Sequence, residues 1–123
     1  MGTNSIEKVN LSDALARISE HWRPKIAGEL NGQHVKLAKM LGEFPWHAHD
    51  DADEMFLVLR GAFRLELRDA AIDVAEGEIV IVPRGVEHRP VAEREAHVLL
   101  FEPAGTVNTG DKINEFTATL ERI

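Results

Sequence analysis

The chain has 123 residues, a net charge of −7, 44% hydrophobic and 28% charged residues, and no cysteine. That length suits one domain with a core large enough to fold without covalent staples. The missing cysteine excludes disulfides, thiolate metal ligands and a cysteine nucleophile, and the negative charge argues against a nucleic-acid or anionic-membrane surface.

Residues 1–10 are polar and read as loosely held. They lack the apolar core of a signal peptide, and no apolar run has the length of a membrane span, so a cytoplasmic protein with no membrane partner is expected. "NLSDALARISEHWRP" predicts a short helix over residues 12–22, with Asn10 or Ser12 as cap, Leu11, Leu15, Ile18 and Trp22 on one face, and Pro24 as the stop. "LNGQ" is a turn in which Asn31-Gly32 can take positive φ.

Beyond it the period changes to that of strands. "QHVKLAKML", "MFLVLRG" and "AFRLELRD" read as strands, the last two joined by a tight hairpin at Arg60-Gly61-Ala62. "AIDVAEGE" is a short strand and turn, "IVIVP" a buried strand, and "GVEHRPVA" and "AHVLLFEP" two more. "AGTVNTGD" is a loop, and "KINEFTATLERI" fits a short helix or irregular structure equally. Many short strands separated by Gly and Pro predict an all-β sandwich or barrel, divided as an N-terminal segment 1–30, a barrel 31–104 and a tail 105–123.

The residues that could carry chemistry lie in "PWHAHDDADEMFLVLRG". In an extended chain His47 and His49 project to the same side. Alone, such a pair reads as part of a polar turn. Glu54 changes that, because the acidic turn from Asp50 to Asp53 can fold back and bring its carboxylate to the imidazoles, a donor set suited to a first-row divalent metal. Asp53 is the alternative ligand, since a one-residue register shift would exchange it with Glu54. Downstream, "GEIVIVPRGVEH" bends at Pro83 and Gly85 and delivers His88 as a fourth ligand. His34, His97, His21 and Arg84 read as core or surface residues. Lys36 and Lys39 fall on opposite strand faces, and Lys39 is taken as the one facing inward, where it could hold an anionic substrate.

These spacings resemble the two sequence motifs of the cupins. The first runs glycine, about five residues, His-x-His, three or four residues, glutamate, six residues, glycine. Gly42, His47, His49, Glu54 and Gly61 follow it, with four residues rather than five after Gly42. The second runs glycine, five residues, Pro-x-Gly, two residues, histidine, three residues, asparagine. Gly77, Pro83, Gly85 and His88 fit it, while Ala92 stands at the asparagine position.

The resemblance implies a jelly-roll β-barrel with a short N-terminal helix and a metal in its mouth, held by His47, His49, Glu54 and His88. It implies one divalent transition-metal ion per chain (Zn, Mn, Fe or Ni) and a small-molecule ligand in the barrel. The expected function is that of a small metal-binding cupin, a metalloenzyme for a small polar metabolite in the manner of a sugar-phosphate isomerase or a dioxygenase. The alternative is a non-catalytic binding or sensor barrel. A homodimer, paired through sheet contacts or through the segment before Asn31, is the expected assembly.

Overall fold

The computed structural model describes residues 5–123. The loosely held segment expected over 1–10 therefore begins outside the described residues; residues 5–10 are exposed and belong to no helix or strand. The helix α1 (Leu11–Ala16) follows, its N-terminus capped by the Asn10 side chain, which accepts from the Asp13 N–H at 2.9 Å. It is shorter than the periodicity predicts. Contacts with the sheet end it: Lys39 Nζ donates to the Ile18 carbonyl at 2.6 Å, and the Trp22 N–H donates to the Lys39 carbonyl at 2.8 Å. Trp22 then takes φ of 66° and turns away from the face carrying Leu15 and Ile18.

The strands are β1 (Lys25–Leu30), β2 (Gln33–Glu43), β3 (Glu54–Arg60), β4 (Ala62–Glu66), β5 (Ala71–Ala75), β6 (Ile79–Val82), β7 (Arg89–Pro103) and β8 (Glu121–Arg122). They form one sheet, ordered β5-β4-β7-β2-β1-β8, with β3 paired to β7 and β6 paired to β3. The expected all-β jelly-roll barrel with a short N-terminal helix is what forms. Among the described residues no helix is long and apolar enough to cross a membrane.

β7 is the spine. The two strands expected within 85–103 are one strand, which pairs along one side with β2 from Gln33↔Pro103 to Glu43↔Val91. Its other side pairs with β3 and then β4, through Met55↔Phe101 and Glu66↔Arg89. The hairpin expected at Arg60-Gly61-Ala62 is therefore absent. Gly61, at φ of 83°, is a kink between two strands that run on in the same direction along β7. A Cβ there would sit 3.1 Å from the Glu95 carbonyl, so the close approach of β7 requires glycine. A single residue cannot reverse a chain, whereas it can act as a bulge.

β1 was not evident from sequence. It forms an antiparallel ladder with β2 across the expected Asn31-Gly32 turn, where φ is 52° and 76°. β8 adds in parallel to β1, and Lys25 pairs with Glu121 there. The rest of the tail is irregular.

Two apolar clusters result. Inside the barrel lie Ala38, Met40, Phe56, Val58, Phe63, Leu65, Val74, Val98 and Leu100. Outside it, Ala14 and Leu15 of α1 and Ile18 just beyond it cover Leu37 and Ala27. "IVIV" is not a buried strand: β6 is at an edge, and Ile79 and Ile81 are each 57% exposed.

Candidate metal centre

His47, His49, Glu54 and His88 converge at one end of the barrel interior, with one donor atom from each within 4.8 Å of all the others. All four are buried. His47 and His49 do not lie on a regular strand. Their extended segment is fixed by a two-way bridge, in which the His47 N–H donates to the His88 carbonyl at 3.0 Å and the His88 N–H to the His47 carbonyl at 2.9 Å. The Gly85 N–H donates to the His49 carbonyl at 2.8 Å. The bend at Pro83 and Gly85 thus holds His88 beside the His-x-His segment.

The loop after β7 clamps the same segment. The Asp111 N–H donates to the Ala48 carbonyl at 2.9 Å, and the Ala48 N–H donates to Asp111 Oδ1 at 3.1 Å. Gly110 packs so tightly on this peptide that a Cβ would overlap the Ala48 carbonyl. Residues 105–111, expected only as a loop, therefore position the histidines.

The rings are oriented from behind. His47 Nδ1 lies 3.0 Å from the Pro45 carbonyl, and His88 Nδ1 lies 2.9 Å from the Val86 carbonyl. A carbonyl only accepts, so each Nδ1 carries a proton, which leaves Nε2 as the atom each ring turns to the cluster. His49 Nε2 and His88 Nε2 approach Glu54 Oε1 at 3.4 and 3.5 Å, beyond a good hydrogen bond. Those three atoms are buried without a partner. Buried polar atoms are ordinarily bonded, so three orphans facing one another require a further group. Three imidazoles, two of them anchored from behind, and a carboxylate are the donor set of a divalent transition metal, and a metal fits.

Charge follows burial here. Desolvation, reinforced by neighbouring His88, pushes the His47 imidazole down to about 4, so it is neutral and a competent donor at neutral pH. Burial alone would raise Glu54, but His49, His88 and Glu102 hold it well below the usual carboxylate range. Burial and then the charge of Glu54 push Glu102 well above that range.

Asp53, the alternative ligand, is exposed and accepts from the Arg84 backbone N–H at 2.9 Å, on the far side of the turn from the cluster. Asp50, Asp51 and Asp111 line a groove beside His49 that gives the cluster an acidic approach. Lys39 does not face the barrel, because it is bound to the Ile18 carbonyl under α1. Lys36 faces inward instead, with His34, Ala38 and Met40 buried at alternate positions of β2. His34 is buried, and His97 and His21 both contact Glu95 near the opposite end of β3.

A cavity of about 40 Å³ opens beside the cluster, room for a few waters or the end of a small molecule. His47, Glu54 and Glu102 line it on one side, and Trp22, Met40, Phe44, Phe56 and Leu100 form an apolar wall on the other. Trp22 and Glu102 were missed as site residues. Trp22 has the spacing of a helix-face residue, and Glu102 shows itself only through register: Met55 lies opposite Phe101, which carries Glu54 opposite Glu102.

The fold and the buried cluster define a small jelly-roll barrel with one polar site in its mouth. Residues 33–102 match the Cupin_2 cupin-domain family model, more than half of the chain, and the chain belongs to that family. It is 39% identical to a cupin-2 domain protein of Shewanella frigidimarina, with a TM-score of 0.76 over 77% of this chain and 93% of that one. It is 33% identical to protein NMB1881 of Neisseria meningitidis, with a TM-score of 0.74 over 80% and 100% of the two chains. It is also 37% identical to the uncharacterized protein YdbB of Bacillus subtilis over 62 residues, a match spanning 50% of this chain and 55% of that protein.

Proposed function

We propose that the chain binds one divalent transition-metal ion through His47, His49, Glu54 and His88, and that the ion holds a small molecule in the adjoining cavity. The observation that carries this is the set of facing orphan atoms, His49 Nε2, His88 Nε2 and Glu54 Oε1. Such an ion, with positions left open by four protein ligands, supplies a Lewis acid that polarises an oxygen of the ligand. The chain's own contribution is to keep the His47 imidazole neutral, anchor the His47 and His88 rings and wall the cavity with Trp22, Phe44 and Phe56.

Among the described residues no lysine or arginine lines the cavity, which weighs against a sugar phosphate and for a small molecule with an apolar body. A metalloenzyme for such a molecule is the first reading; a non-catalytic binding barrel is the second. Elemental analysis of protein purified without chelator, beside a His47→Ala/His49→Ala variant, tests the site. About one metal per chain is expected in the parent and none in the folded variant. Equal metal in both sinks the assignment. Iron would direct assays to dioxygenase substrates, and ligand binding that survives metal removal would favour the binding barrel.

A second copy of the chain is the proposed partner. Ile79 and Ile81 stand exposed on edge strand β6, opposite the half-buried Leu57 and Met55 of β3. Light scattering should give twice the chain mass, reduced by Ile79→Lys/Ile81→Lys; a monomeric parent overturns it.

A further inference from the structure

Lys36 and Glu102 are 0% and 2% exposed, inside a barrel otherwise lined at this level by Ala38, Met40, Phe56 and Leu100. Lys36 Nζ donates to Glu102 Oε2 at 2.7 Å and to the Thr106 carbonyl at 3.2 Å. Stability does not account for such a pair. Desolvation offsets the attraction, and apolar residues of similar volume often serve as well or better. Glu102 lines the same cavity as His47 and Glu54, and its Oε1 is buried with no hydrogen-bond partner.

The wall's other polar side chains are committed to the backbone. Trp22 Nε1 donates to the Leu41 carbonyl at 2.8 Å. Asn108 Nδ2 donates to the Phe116 carbonyl and its Oδ1 accepts from the Ala118 N–H, at 2.8 and 2.9 Å. Outside the four-residue cluster, Glu102 Oε1 is the unsatisfied polar atom the cavity offers, among the described residues.

We propose that Glu102 hydrogen-bonds, through Oε1, an uncharged oxygen of a small ligand held beside the cluster, and that Lys36 is the positioning residue that fixes Glu102 for this contact. The inference rests on the metal-bound ligand proposed above and names its class: a small alcohol, ketone or hydroxyketone with an apolar body. A phosphate would meet two carboxyl groups and no free cation.

The test uses the full chain loaded with cobalt(II), whose visible spectrum reports ligand binding without turnover. Hydroxyacetone and inorganic phosphate are the probes. The parent is expected to take one cobalt and to bind hydroxyacetone in preference to phosphate. Lys36→Met/Glu102→Leu should retain cobalt and melt no lower than the parent, yet bind hydroxyacetone roughly ten-fold more weakly, the effect of one lost buried hydrogen bond. Glu102→Gln, which keeps volume and a polar atom, should recover part of that loss. Unchanged hydroxyacetone affinity in the double variant overturns the proposal, as does equal or tighter binding of phosphate by the parent. A cobalt-loaded parent that ignores hydroxyacetone overturns it too. A parent that takes up no cobalt overturns metal binding itself and this proposal with it.

Discussion

The two ends of the barrel interior are built from the same strands and differ in everything else. Toward Gly61, β3 and β7 face each other with Val58 and Val98, and β4 adds Phe63 and Leu65. Toward the other end the same inward positions carry Glu54 and Glu102, with three histidines and Lys36 close by. The ring contact of Phe56 with Phe63, 5.3 Å between centroids, joins the two levels. The apolar end satisfies itself. The polar end leaves the donor atoms Glu54 Oε1, His49 Nε2 and His88 Nε2 and the carboxyl oxygen Glu102 Oε1 without partners. One end carries stability, and the other spends it on a site.

The strongest way to break this division is to cut the apolar end. Phe63→Ala should cost about 3–5 kcal/mol in urea denaturation, because a buried ring leaves a cavity, while metal per chain stays at the parent value. Loss of metal would mean that the two ends are one unit.

At the polar end acid should act through His47. The His47 imidazole titrates at about 4 in the folded chain and at about 6.5 unfolded. Between those values the unfolded chain binds more protons at this side chain, so His47 costs metal-free protein about 3 kcal/mol as pH falls from about 6.5 through 4, a loss partly offset by Glu102, whose raised carboxyl takes up its proton in the folded chain first. Denaturation midpoints from pH 7.5 to 4 would read this. Phe63→Ala should keep the slope and His47→Gln should flatten it.

Gly61→Ala probes the kink between the ends. Positive φ and the nearby Glu95 carbonyl predict a loss of about 1–2 kcal/mol, seen in thermal melts, with metal binding intact. The smallest effect is expected from Asp53→Ala: unchanged metal content and melting temperature, since Asp53 lies outside the cluster. A loss of metal there would reassign the ligand.

The four clustered side chains were legible because motif spacing is local. Gly42 to Gly61 and Gly77 to His88 each place their residues with little help from elsewhere. Most strands were legible for the same reason. What failed was non-local. The Gly61 turn looks like a hairpin until β7 is known to run past it. Lys36 and Lys39 could not be told apart because both faces of β2 are apolar, one against the barrel core and one against α1. β6 has the sequence of a buried strand and the position of an exposed edge.

The cavity wall has a consequence for how such barrels differ from one another. The four clustered side chains, His47, His49, Glu54 and His88, all fall within the stretch 33–102 that matches the family model. Trp22 and Pro24, which complete the wall, precede that stretch, and Asn108 follows it. The clamp on Ala48 by Gly110 and Asp111 also lies beyond it. The shared frame therefore supplies the donor cluster, and the flanking segments cut the keyhole. Two chains with identical donor sets but unlike flanks should admit different molecules, and grafting residues 17–24 and 104–118 is the route by which selectivity would be transferred.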